Sequence, residues 1–143
     1  MKIEQVDDIL DFCFIANPYY PTPEMVRRPL EIIPRLLARR ALLLRLRAEL
    51  GREDALDLGQ ALPLGAVLHV AAGNIFLGCI DSLVMSLLTN NVTLLRQSSA
   101  DPEFPLLFAQ SLRQADREQD LVSGLAIVSW DSARKDIEAV FKR

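Results

Sequence analysis

Histidine, cysteine and tryptophan are scarce in this chain of 143 residues, which holds one, two and one of them respectively. One histidine and two distant cysteines, Cys13 and Cys79, cannot assemble a typical zinc site, so no metal is expected. The two cysteines also lack a metal-type pairing, and a reducing, cytoplasmic setting is the default expectation. Neither G-x-G-x-x-G nor G-x-x-x-x-G-K-[ST] occurs, which removes the common dinucleotide and P-loop signatures. Positive charge is not in excess: the net charge is −3, which gives no basis for a nucleic-acid partner. Long apolar runs are missing too. The longest, residues 75–88, is interrupted by Asp81, Ser82 and Ser86, and a membrane span needs about 20 residues. The N-terminus turns acidic at Asp7, Asp8 and Asp11 and carries no apolar signal-peptide core. A soluble chain with no membrane association is expected.

What is present divides into two regions. Residues 1–60 read as a helical N-terminal segment with proline punctuation, and residues 61–143 alternate strand and helix. The segment Asn17-Pro-Tyr-Tyr-Pro-Thr-Pro23 is a poor helix former, because proline lacks an N–H and disfavours helix in the residue before it. Helix resumes near Thr22 as cap, with Pro23 suited to the first turn. From Pro29 to Leu50 the apolar residues form two helical stripes: Ile33, Leu37, Ala41, Leu44 and Ala48, and Ile32, Leu36, Leu43 and Leu50. Such a helix usually packs against two things at once, one of which could be a missing domain or a partner subunit. Gly51 is placed to stop it.

The second region repeats strand, turn and helix three times. Strands are expected at Ala66–Ala71, Val92–Arg96 and Leu125–Ser129, apolar enough for burial on both faces. Helices follow at Phe76–Leu88, Glu103–Ala115 and Ser132–Lys142, with Asn90 in a left-handed stop after the first. Asp101-Pro102 and Asp131 are the expected starts of the second and third. The fold class is therefore α/β, a Rossmann-like three-layer parallel sheet in the order 3-2-1, incomplete and preceded by N-terminal helices. The first strand is left at the edge where a fourth would join.

Ligands of such sheets bind beyond the carboxyl ends of the strands, and two turns there carry candidate chemistry. Gly73 and Asn74 end the first strand. Asn74 can donate its amide to a developing oxyanion, beside the backbone donors of the next helix, or it can simply cap that helix. Arg96, Ser98 and Ser99 end the second strand, where a cation and two hydroxyls suit a cofactor ribose or phosphate, or form a solvated loop. An arginine with serines, and no acidic residue, better tolerates the 2′-phosphate of NADP than an NAD-type site would. His69, mid-strand in an apolar run, reads as a packed residue rather than a catalyst. Cys79, on an apolar helix face with no base nearby in sequence, reads as a small hydrophobe, as does Cys13. Asp81 is expected to face solvent.

In order and spacing, Pro63-Leu-Gly-Ala-Val-Leu-His-Val-Ala-Ala-Gly-Asn74 followed by Leu88-Thr-Asn-Asn-Val-Thr-Leu-Leu-Arg-Gln-Ser-Ser-Ala-Asp-Pro102 resembles the fatty acyl-CoA reductase family of bacterial luciferase systems, within the aldehyde dehydrogenase superfamily. The resemblance is close over residues 61–102, extends to 143 and is weak over 1–60. It implies NADPH-dependent reduction of a fatty acyl-CoA or acyl-protein thioester to the aldehyde through an acyl-cysteine intermediate. Asn74 would correspond to the oxyanion asparagine, and Arg96 to a lysine at the adenosine ribose. Ser99 stands where NAD-preferring relatives carry glutamate. Arginine for lysine keeps the charge but changes reach and geometry. Asn90 replaces a common glycine.

The resemblance also implies that further strands and the cysteine domain lie beyond Arg143. Residues 61–143 would then be the first half of a NADP-binding domain, inactive as a reductase alone. Two alternatives stand beside this reading. One is an aldehyde dehydrogenase of another substrate class, although most carry Pro-Trp-Asn where Ala72-Gly-Asn74 stands here. The other is a non-catalytic interaction module whose exposed sheet edge binds a partner. A homo-oligomer or a missing C-terminal half would cover the exposed apolar surface.

Overall fold

The computed structural model describes residues 22–75, 77–116, 118 and 120–141. Expectations for Cys13, for the acidic N-terminus, for residues 17–21, and for Phe76 and Lys142 as helix ends lie outside these residues. The chain runs α1 (Pro23–Leu36), α2 (Arg39–Leu50), β1 (Ala66–Val70), α3 (Leu77–Leu88), β2 (Val92–Arg96), α4 (Phe104–Ala115), a 3-10 turn (Val122–Gly124), β3 (Leu125–Val128) and α5 (Lys135–Val140).

The continuous helix expected over Pro29–Leu50 is two helices. After α1 the backbone leaves helical geometry, with Ala38 at φ −61°, ψ 137°, before α2 begins. The two expected stripes are correspondingly misplaced. Val26, Leu30 and Ile33 of α1 and Leu46 of α2 are buried, whereas Ile32, Leu36 and Leu44 are exposed. Helix α1 starts after Thr22 as expected, although the threonine side chain makes no capping hydrogen bond. Gly51 ends α2 at φ 80°, in the left-handed conformation a glycine adopts without a Cβ penalty.

The sheet is parallel in the order β1-β2-β3, as the β-α-β alternation requires. Register pairs His69 with Leu95 and Leu95 with Ile127, and it pairs Val70 with Arg96 and Arg96 with Val128. Paired residues of a parallel sheet share a face, so these two sets lie on opposite faces. On the first face Leu95 joins Cys79, Ile80 and Leu83 of α3, Phe104 and Phe108 of α4, and Val26, Leu30 and Ile33 of α1 in one core, with Ile127 packed against it. Thr93 on the same face is fully buried and donates to Ser86 Oγ at 2.8 Å, which satisfies both hydroxyls. The opposite face is not closed, contrary to the expected burial on both sides. Val70 and Val92 are 62% and 51% exposed there.

Helix ends depart from expectation in detail. Asn90 stands at φ 57° after α3, as expected of a left-handed stop. Helix α4 begins at Phe104 with Pro105, rather than Pro102, in its first turn. Asp101 still accepts the Phe104 N–H, at 3.4 Å. Asp131 does not cap α5; its carboxylate accepts the Ala133 N–H at 2.8 Å in a preceding turn, and α5 starts only at Lys135. Asp81 is exposed but paired, its carboxylate held by the Arg45 guanidinium, which ties α2 to α3. No helix among the described residues is long and apolar enough to cross a membrane.

Candidate functional site

Two turns meet at the carboxyl end of the sheet. The β1–β2 ladder continues past the strands, with the Ala71 N–H donating to the Arg96 carbonyl at 2.9 Å. This extra bond brings the turn at Gly73 onto the loop after β2. A Cβ at position 73 would lie 2.5 Å from Ser98 Oγ and 2.7 Å from Ala100 Cβ, closer than side-chain carbons approach other atoms. Glycine is required here by proximity. The backbone therefore delivers Asn74 beside the Ser98–Asp101 loop, and the Asn74 side chain is exposed just ahead of α3.

The loop after β2 is braced from within. Ser98 Oγ accepts the Ala100 N–H at 3.2 Å, and the Asp101 N–H donates to the Ser98 carbonyl at 3.2 Å. Ser98 thus shapes the turn with the hydroxyl that the sequence offered for ligand contact, and Ser99 is the exposed one of the pair. Asp101 is buried beneath the turn, and burial pushes its carboxyl up to about 6.

Arg96 leaves the second face of the sheet and meets a residue that sequence reasoning missed. Its Nη2 donates to the Trp130 carbonyl at 3.2 Å, and its Cζ sits 5.0 Å from the Trp130 ring centroid, within cation–π range. Phe141 stacks on that indole at 5.4 Å and 6° between planes. Two polar atoms in this cluster are buried without a hydrogen-bond partner: Arg96 Nε and Trp130 Nε1. A signal for Trp130 existed in the sequence. It is the sole tryptophan, just past the strand that must pair with β2.

The remaining candidates separate from this site. His69 faces the helical side, with Nε2 buried and unpartnered and burial lowering its pKa, which disfavours the charged form needed of a proton donor. Cys79 is buried within the core, as expected of a small hydrophobe. Among the described residues no group of His, Cys, Asp and Glu could hold a metal ion.

A family model described as acyl-CoA reductase (LuxC) matches residues 15–143. The chain belongs to this family. Curated relatives include a long-chain acyl-protein thioester reductase of Photobacterium phosphoreum, 31% identical over 78 residues, which are 54% of this chain and 16% of that protein. A second such reductase, from Photobacterium leiognathi, is 31% identical over 71 residues, 50% of this chain and 15% of that protein. One from Vibrio harveyi is 28% identical over 74 residues, 52% of this chain and 16% of that protein. The matched stretch therefore spans about one sixth of each LuxC-family relative.

Proposed function

We propose that this chain is the N-terminal cofactor-binding portion of a NADPH-dependent acyl thioester reductase, which converts a fatty acyl-CoA or acyl-protein thioester to the aldehyde in the cytoplasm. The observation that carries the reading is the seating of Gly73 on Ser98. It gathers Asn74, Arg96 and Ser99 at the carboxyl end of a parallel sheet, where open α/β sheets bind ligands. Relatives named as acyl-protein thioester reductases support the substrate class.

The residues present fit the ribose end of NADPH. Arg96 has a buried Nε without an acceptor, and Ser99 places a small exposed hydroxyl where an acidic side chain would repel a phosphate. Arg96 and Ser99 would hold the 2′-phosphoribose, while Gly73 lets the two turns that carry the site lie against each other. When bound, the cofactor supplies hydride. Asn74 acts separately, its amide donating to the oxygen of the thioester carbonyl as negative charge develops there. The nucleophile that forms the acyl-cysteine is placed outside this chain on the strength of the family resemblance, and the burial of Cys79 in the core agrees with that.

This division of labour has a direct test. Supplied with NADPH and a long-chain acyl-CoA, the chain alone should neither oxidise the cofactor nor form aldehyde. Turnover by the chain alone would overturn the assignment of the nucleophile. A second reading, an interaction module, draws on Leu62 and Leu64 before β1, which are 79% and 85% exposed, and on exposed Val70 at the far end of that strand. A folded, self-associated chain that ignores both nicotinamide nucleotides would favour it.

A further inference from the structure

Arg96 is not a free surface cation awaiting a ligand. It is held on two sides by the β3–α5 connection, through the Trp130 carbonyl at 3.2 Å and the Trp130 ring at 5.0 Å. The ring is itself held, because Phe141, the residue following α5, lies parallel to it at 5.4 Å. Neither aromatic belongs to the main apolar core, so core packing does not account for the stack. Register explains how it arises. Arg96 pairs with Val128, and Trp130 follows two residues later, where it reaches the same end of the sheet.

The chemistry of the cluster is unbalanced in one respect. Arg96 Nε and Trp130 Nε1 are both donors, both buried, and both lack an acceptor. An unmade hydrogen bond at a buried donor is costly, and a ligand bearing several acceptor oxygens relieves it. An arginine already fixed also loses less side-chain freedom when an anion binds than one that must first be ordered.

We infer that Trp130 is a positioning residue of the site: by stacking on Arg96 and accepting from it, Trp130 fixes the guanidinium that recognises a 2′-phosphorylated ribose. The inference rests on the reading of Arg96 as the residue that takes the 2′-phosphate. It assigns Trp130 a part in cofactor preference, with Phe141 as the backing that holds the indole in place.

The test uses adenosine nucleotides that differ only in the 2′-phosphate, 2′,5′-ADP and 5′-AMP, titrated calorimetrically into the 143-residue chain. The wild type should prefer 2′,5′-ADP. Trp130→Leu should reduce that preference by about tenfold, and Trp130→Phe, which keeps an aromatic face, should recover most of it. A merely structural role would weaken both nucleotides together and leave their ratio unchanged. Trp130 is also the sole tryptophan, so its emission reads the contact without any substitution at 130. Addition of 2′,5′-ADP should shift that emission in the wild type and leave it unmoved in Arg96→Met. If Trp130→Leu fails to fold, the Phe variant and the emission shift still decide. A wild type indifferent to the 2′-phosphate would overturn the reading of Arg96 and the inference with it. A wild-type preference that survives Trp130→Leu, or that forms with no emission change, would overturn the inference alone.

Discussion

Gly73 lies against Ser98 so closely that a Cβ on the glycine would stand 2.5 Å from the serine Oγ. This contact joins the turn after β1 to the loop after β2, and so fixes the distance between an amide donor and a cation drawn from different strands. The serine hydroxyl can turn aside only by giving up the Ala100 N–H it accepts, and Ala100 Cβ, at 2.7 Å from the same point, moves only with its backbone.

Gly73→Ala should therefore destabilise the chain by about 1–3 kcal/mol, the usual cost of overpacking. The double variant Gly73→Ala with Ala100→Gly should regain part of that loss, because it removes the less mobile obstacle. Chemical denaturation of the two singles and the double measures the coupling. Strict additivity of the two substitutions would show that the turns do not touch.

Asp101 makes a prediction in the pH dependence of folding. Its carboxyl is raised from 3.8 to about 6, chiefly by burial, with a smaller contribution from the nearby Glu103 charge. A raised pKa means that the folded chain binds the proton more tightly than the unfolded chain. The associated stability is present in full below the unfolded pKa near 4, and is lost as pH rises through about 6. Ionising the buried group costs on the order of 3 kcal/mol. Asp101→Asn, which can still accept the Phe104 N–H, should be more stable relative to wild type at pH 7.5 than at pH 4. A melting-temperature difference that stays constant across this range would contradict the burial argument.

The ion pair between Arg45 and Asp81 should contribute little despite its two hydrogen bonds. Both side chains are substantially exposed, 39% and 57%, so solvent screens the pair. The guanidinium holds the Asp81 carboxyl below its ordinary range, mainly through the hydrogen bond. Any stability from the pair is present above that ordinary range and fades as pH falls through the lowered value. A cycle of Arg45→Ala and Asp81→Ala should give a coupling of about 0.2–1 kcal/mol that shrinks in high salt. Coupling that is larger and insensitive to salt would mean the pair is shielded from solvent.

If Arg96 takes the 2′-phosphate as proposed, reversing its charge separates the two nicotinamide cofactors. Arg96→Glu should weaken NADPH binding by roughly 10–100-fold, the range for a hydrogen bond to a charged group, and weaken NADH binding less. Binding of both cofactors, followed in parallel, checks this. Equal loss of both would remove Arg96 from any contact with the 2′-phosphate.

Much of the sheet was legible from residue order, because β1, β2 and β3 are apolar runs separated by helices long enough for parallel crossovers. Gly73, Asn74, Arg96, Ser98 and Ser99 were legible as a group for a related reason: strand ends of a parallel sheet lie on one side. The break between α1 and α2 was not legible. Apolar stripes at helical spacing persist through Leu37 and Ala41, and only tertiary packing decides that the chain turns between them. The role of Ser98 also escaped, since a serine offers the same hydroxyl to a ligand or to its own turn. Trp130 was overlooked because its partner lies 34 residues away, and periodicity carries no information on contacts of that kind.

The most direct measurement is calorimetric titration of the purified 143-residue chain with NADPH and with NADH, with its oligomeric state determined alongside. The account predicts saturable binding that prefers NADPH. A folded chain that binds neither cofactor, or binds both equally, would contradict it.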